Sequence, residues 1–173
     1  MNNRKLRNKI RTIPDFPKTG IQFRDITTLL LDNDAFTESI DIFCDEFKDK
    51  EIDVIVGIES RGFIFASPLA LKLGCALAIA RKPGKLPGNK ISVEYDLEYG
   101  TDTIEMHTDA VKKGNRVLIV DDLLATGGTA KAVGELVRKL KGDIVSFAFL
   151  INLLELKGVN LLKPHPIFYI VEY

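Results

Sequence analysis

The chain has 173 residues, with 24 Lys+Arg against 24 Asp+Glu and 46% hydrophobic residues. That length suits one domain with a real core, and the balanced charge argues against a dedicated nucleic-acid binder. No apolar run approaches the ~20 residues of a membrane span, and the basic start (Arg4, Lys5, Arg7, Lys9, Arg11) has no apolar signal segment behind it. Cys44 and Cys75 lack CxxC spacing and share no ligand pattern with His107 or His165. The expectation is two reduced thiols in a cytoplasmic protein, without a zinc site.

Residues 1–12 read as a short basic helix or arm. Pro14, Pro17 and Gly20 lie too close together for a helix interior or a central strand. Residues 21–26 alternate apolar and polar, as a short extended segment does. Asp32 or Asp34 is placed to cap a helix, in which Phe36, Ile40, Phe43 and Phe47 form one apolar face. Residues 53–58 read as a buried strand ending in the polar turn Glu59-Ser60-Arg61-Gly62. A helix over 63–73 follows, closed by Gly74; Pro68 either ends its first turn or kinks it. Residues 75–80 form the next strand. The segment 82–103 is basic and turn-rich, then weakly alternating. A connection of this length is commonly a lid or binding loop, so a mobile loop or an extended hairpin is expected. An edge strand is expected at 104–107.

Gly114-Asn115 turns the chain into Val117-Leu118-Ile119-Val120-Asp121-Asp122. Four branched apolar residues running into two acids read as a strand buried on both faces and ending at the carboxylates. Small residues 125–129 follow. A helix then opens, with Ala130, Val133, Leu136, Val137 and Leu140 inward and Gly142 at its end. Further strands are expected at 143–153 and 168–171. Strands alternating with helices define an α/β chain with a mainly parallel sheet. Sites in such sheets lie at the carboxyl ends of the strands, where both polar turns, 59–62 and 121–129, fall.

The small side chains of 125–129 let main-chain N–H groups approach a phosphate at a helix N-terminus. The loop is not a Walker A motif, since G-x-x-x-x-G-K-[ST] is absent. Adjacent carboxylates at the end of a buried strand repel each other and lose hydration. A cation or hydroxyl donors must compensate, and ribose hydroxyls are suitable donors.

The stretch 117–129 resembles the ribose-phosphate signature of the type I phosphoribosyltransferases: an apolar strand, two acids and a T-G-x-T loop. The likeness implies a single domain over 1–173, with a central mainly parallel sheet flanked by helices. It also implies a small N-terminal hood, roughly 1–33, and a flexible catalytic loop, roughly 82–103. Asp15-Phe16-Pro17, Gly20-Ile21-Gln22-Phe23-Arg24-Asp25-Ile26-Thr27, Ser60-Arg61-Gly62-Phe63, Arg81-Lys82-Pro83-Gly84-Lys85-Leu86-Pro87 and Leu97-Glu98-Tyr99-Gly100 are similar, in order, to the adenine-using branch of that family. That branch often has proline where this chain has Thr19 and Thr28, both taken as loop-stiffening positions.

The resemblance implies a role for each matching residue. Asp121 and Asp122 hold the ribose of phosphoribosyl pyrophosphate (PRPP), and Ala125, Thr126, Gly127, Gly128 and Thr129 hold its 5′-phosphate. Glu59, Ser60 and Arg61 form the pyrophosphate loop, which in this family often contains a non-proline cis peptide. Lys82 and Lys85 add positive charge, in the family's manner across a homodimer interface. Phe23 stacks on adenine while the main chain of Gln22 and Arg24 reads its edge. Glu98 handles the N7 proton, beside Tyr99 in the loop. The implied reaction joins adenine to PRPP, giving AMP and pyrophosphate with inversion at the anomeric carbon. Mg²⁺ enters as a cofactor, mainly on the pyrophosphate, and no protein ligand is assigned to it.

Overall fold

The computed structural model describes residues 3–96 and 100–173. The chain begins with a short helix α1 (Arg4–Arg7), capped by the Asn3 side chain accepting from the Leu6 N–H. Strands β1 (Arg11–Pro14) and β2 (Gln22–Asp25) then pair as an antiparallel ribbon, with Ile13 opposite Phe23 and Thr12 opposite Arg24. Ending at Pro14 suits a ribbon edge, where a missing N–H is tolerated. A one-turn helix α2 (Thr27–Leu30) follows. Thr28 lies in this helix, not in a loop as expected. Its hydroxyl accepts from the Arg11 N–H (3.1 Å) and donates to the Lys9 carbonyl (2.6 Å), tying the ribbon down by hydrogen bonds. Helix α3 (Asn33–Phe47) starts at Asp32, whose carboxylate accepts from the Ala35 N–H at 3.0 Å. The predicted face is the buried one, with Phe43 and Phe47 essentially inaccessible and Phe36 half-buried.

The sheet begins with β3 (Val54–Ile58) and continues, through α4 (Gly62–Leu73), to β4 (Ala76–Ala80). Gly74 closes α4 with φ +69°, as its position predicts. Pro68 lies inside the helix, which continues past it, so the first turn does not end there. The ring removes the hydrogen bond to the Ile64 carbonyl, and burial of Phe65, Ala66 and Leu69 holds the turn together. Strands β5 (Lys90–Asp96) and β6 (Thr101–His107) then form an antiparallel hairpin. Of the two forms open to 82–103, much of the segment therefore takes the hairpin. The expected edge strand at 104–107 is the last part of β6, attached near β4 by a bridge between Arg81 and Glu105.

Strand β7 (Arg116–Leu124), helix α5 (Gly128–Lys139), strand β8 (Asp143–Asn152), a short α6 (Gly158–Leu162) and strand β9 (Ile167–Glu172) complete the chain. Two sequence expectations are corrected here. β7 does not stop at the acids but pairs onward to Leu124, opposite Asn152. The left-handed residue after α5 is Lys141 (φ +65°), not Gly142. Gly142 is needed for space, because a Cβ there would lie 2.6 Å from Val111 Cγ1.

The five sheet strands run parallel in the order β4-β3-β7-β8-β9. β7 is central, and its Val117, Leu118, Ile119 and Val120 are fully buried. Alternate residues enter two cores: Leu118 and Val120 pack with α3 and α4, Val117 and Ile119 with α5 and the hairpin. Each such side chain contributes about 1.5–3 kcal/mol by burial. Strand order reverses between β3 and β7, the switch point at which parallel sheets open a crevice. The turns at 59–62 and 121–129 meet there.

Candidate active site

At the carboxyl end of β7, residues 125–129 pass into α5 around a small cavity of about 90 Å³, lined by Asp121, Leu123, Leu124 and each residue from Ala125 to Ala130. Gly127 takes φ +88° as the residue before the helix, a conformation that glycine adopts without strain. The first helical amides have no intrahelical partner, and Gly128, Thr129 and Ala130 line the cavity, a setting suited to an anion. The loop rests on α6 by close main-chain contact. A Cβ on Gly158 would lie 2.2 Å from the Ala125 carbonyl oxygen, and one on Gly127 2.9 Å from the Gly158 carbonyl. Gly158 was not singled out from sequence; its signal, a glycine after Leu156-Lys157, is indistinguishable there from an ordinary turn.

Asp121 is half-buried and its Oδ1 accepts from the Asp122 N–H at 2.8 Å. Asp122 is 3% exposed. Its Oδ2 lies 2.9 Å from Arg61 Nε without hydrogen-bond geometry, a buried oxygen still lacking a donor. Burial raises the pKa of both carboxyls, reinforced at Asp121 by the charge of Asp122; Arg61 works against burial at Asp122. Two carboxyls held this way favour a neutralising ligand. Gly62, at the first turn of α4, brings Arg61 to them, since a Cβ there would be 2.7 Å from the Val120 carbonyl.

The Glu59–Ser60 peptide is cis, and Ser60 is exposed. The Glu59 carboxylate accepts from the Lys82 N–H (2.8 Å), Arg81 Nη2 (3.1 Å) and Lys85 Nζ (2.7 Å). Burial opposes its ionisation, but Lys85, the Lys82 amide and Arg81 outweigh it and bring its pKa to about 2. Glu59 thus anchors the basic loop. The Lys82 ammonium pairs with Asp102 and lies 3.1 Å from the Tyr95 hydroxyl. That hydroxyl accepts from Thr129 Oγ1 at 3.1 Å. Tyr95 was not predicted as a site residue, yet it joins the hairpin to the start of α5 at Thr129.

On the other side, Phe23 is half-buried on β2 and Gln22 is exposed. Phe16 packs edge-on to Phe23 at 5.2 Å. The Arg61 guanidinium stands 5.5 Å from the Phe23 ring centre while pairing with Asp122. One side chain therefore spans the acids and the aromatic. Glu98 and Tyr99 lie outside the described residues. Among those described, no group of three or more His, Cys, Asp or Glu side chains could hold a metal ion.

A parallel sheet with an acid pair and an anion-binding helix start at its switch point is the architecture of a phosphoribosyl-binding enzyme. The phosphoribosyl transferase domain family matches residues 30–164, and the chain belongs to it. It is 55% identical over 168 residues to the adenine phosphoribosyltransferase of Clostridium botulinum, covering 97% of this chain and 98% of that protein. The crystal structure of adenine phosphoribosyltransferase from Thermoanaerobacter pseudethanolicus superposes with a TM-score of 0.95 at 47% identity, covering 98% of this chain and 99% of that one. The Saccharomyces cerevisiae enzyme, solved with adenine and an imino-altritol bisphosphate, gives 0.91 at 40% identity over 96% of each chain.

Proposed function

We propose that this protein is an adenine phosphoribosyltransferase of purine salvage, converting adenine and PRPP to AMP and pyrophosphate. The observation that carries this reading is Arg61, which links the ribose-side acid Asp122 to the base-side ring of Phe23. The extent of likeness to enzymes of that name supports the same reading.

In this reading the C1′–oxygen bond to pyrophosphate breaks with oxocarbenium character, and adenine N9 attacks the opposite face. Main-chain N–H groups of 125–129 and the Thr126 and Thr129 hydroxyls hold the 5′-phosphate. Asp121 and Asp122 accept from the ribose hydroxyls, which relieves their burial, and they place negative charge beside the developing cation. Arg61 offers its planar fork to pyrophosphate oxygens, with Ser60, Lys82 and Lys85 nearby. Glu98 takes the purine proton during synthesis and returns it in reversal. The Gln22 and Arg24 main chain favours a 6-amino group with an unprotonated N1. Guanine and hypoxanthine present the reverse pattern and leave buried groups unpaired.

Mg²⁺ would be held chiefly by substrate oxygens, since no described cluster of protein side chains could hold it alone; Asp122, whose Oδ2 lacks a hydrogen-bond donor, is a protein group that could join them. It supplies charge neutralisation on the diphosphate. A homodimer is supported by Ile64 and Leu71 of α4 and Leu77 of the sheet-edge strand β4, which stand 36%, 85% and 43% exposed. The cytoplasm is the compartment suited to free Cys44 and Cys75. No described helix is long and apolar enough to cross a membrane.

The test is incubation with PRPP, Mg²⁺ and each nucleobase in turn, reading pyrophosphate release. Release with adenine is expected. Release with another base in preference to adenine, or none at all, contradicts the reading.

A further inference from the structure

The base-reading strand β2 is not hydrogen-bonded to the five-stranded sheet; its ladder partner is β1. Its position over the crevice therefore depends on side chains. Arg24, next to Phe23, lays its guanidinium over the ring of Tyr173 at 4.0 Å from the centre. Arg7 of α1 stacks on the same ring at 4.4 Å, and the Tyr173 hydroxyl donates to the Arg7 carbonyl at 3.0 Å. Tyr173 is itself held by the sheet. Its N–H donates to the Asn152 carbonyl at the end of β8 (3.0 Å), and its carbonyl accepts from the Leu154 N–H (2.8 Å). Arg24 Nε is buried without a hydrogen-bond partner, while another guanidinium nitrogen bonds Thr12 Oγ1 on β1. The aromatic face is thus a principal contact of this cation on the sheet side. Stacking of a desolvated guanidinium on an aromatic ring is favourable and directional.

We propose that Tyr173 is a positioning residue for base recognition, setting through Arg24 where β2 presents its main chain to adenine. The inference rests on the adenine reading above and adds a residue outside the crevice to it. A shift of about 1 Å in such a presenting strand is enough to weaken selection strongly. The cited contacts of the Tyr173 side chain run to Arg7 and Arg24 and not to the 125–129 loop, so the effect of changing that side chain is expected at the base.

The experiment is steady-state kinetics of the full chain with adenine and PRPP varied separately. Tyr173→Leu keeps apolar bulk but removes the ring. Its KM for adenine is expected to rise about tenfold, with kcat at saturating adenine and KM for PRPP changing by less than about twofold. Tyr173→Phe restores the ring and should keep the adenine KM within about threefold of wild type. Arg24→Lys keeps the charge and the main chain but not the planar fork and should raise the adenine KM in the same way, so it decides the matter if Tyr173→Leu does not fold. An unchanged adenine KM in either folded variant, or equal increases for both substrates, overturns the proposal. A wild-type protein that releases no pyrophosphate with adenine overturns the functional reading and this proposal with it; that outcome shows in the wild type alone, before any variant is compared.

Discussion

The 125–129 loop, proposed to hold the ribose phosphate, and strand β2, proposed to read the base, border the same crevice but are built on opposite plans. The first grows from β7, the central strand of a five-stranded sheet, with Val117 to Val120 fully buried behind it. Its contacts to α6 are main chain on main chain, through Gly127 and Gly158. The second is a two-stranded ribbon outside the sheet, tied to the rest of the fold through the Thr28 and Arg24 side chains, while Arg11 and Asp25 pair its two strands. On the proposed reading, recognition of the phosphorylated sugar is tied to the integrity of the core. Choice of base is then tied to peripheral side chains, so substitutions there are expected to alter it without unfolding the protein. This division suits one crevice frame serving different bases.

The strongest way to break the comparison is at the acids. Asp121→Asn with Asp122→Asn should lower transferase activity by about a thousandfold, measured as pyrophosphate release, while circular dichroism stays native. Asp121→Asn alone should also raise the melting temperature at pH 7 by about 3 °C. The sign follows from burial: a carboxyl with a raised folded pKa destabilises the fold increasingly as pH rises from its unfolded value, ~4, through its folded value. The gain should accordingly vanish in melts below that range. Next is Gly158→Ala, whose methyl must displace the Ala125 carbonyl. PRPP binding by calorimetry should weaken about thirtyfold, with adenine selectivity retained. Phe23→Ala gives the mirror result, an adenine KM raised about tenfold with PRPP affinity unchanged.

The smallest effect compares one carboxylate from each region. Arg11 and the Thr27 N–H hold Asp25 at about 2 in the ribbon, and Glu59 sits at the same value on the crevice side. Both are depressed, so both add stability that is present above ~4 and fades as pH falls toward the folded value. Asp25→Asn should flatten that acid loss in thermal melts without moving the adenine-dependent rate at neutral pH by more than about twofold.

The core and the cradle were legible because their signals are local. A buried apolar run, two acids and a small-residue loop lie within 117–129, and of the two cap candidates Asp32 and Asp34 it is Asp32 that caps the helix. The ribbon was legible only as a short extended segment, because its order depends on partners far along the chain: Tyr173 for Arg24 and Thr28 for Arg11. For the same reason Tyr95 and Gly158 went unnoticed. Each acts through contacts with residues distant in sequence, Tyr95 with Thr129 and Gly158 with Ala125 and Gly127, that no periodicity announces. Pro68 allows either an end or a kink by local chemistry, and of these the end is ruled out, because the helix continues through it with Phe65 and Leu69 buried on either side.

The division of labour is tested most directly by a crystal structure with AMP bound. The expected result places the 5′-phosphate on the amides of 126–129, the ribose hydroxyls on Asp121 and Asp122, and the adenine ring on Phe23 with its edge on the Gln22 and Arg24 main chain. A phosphate bound away from that loop, or a base out of contact with β2, would contradict it.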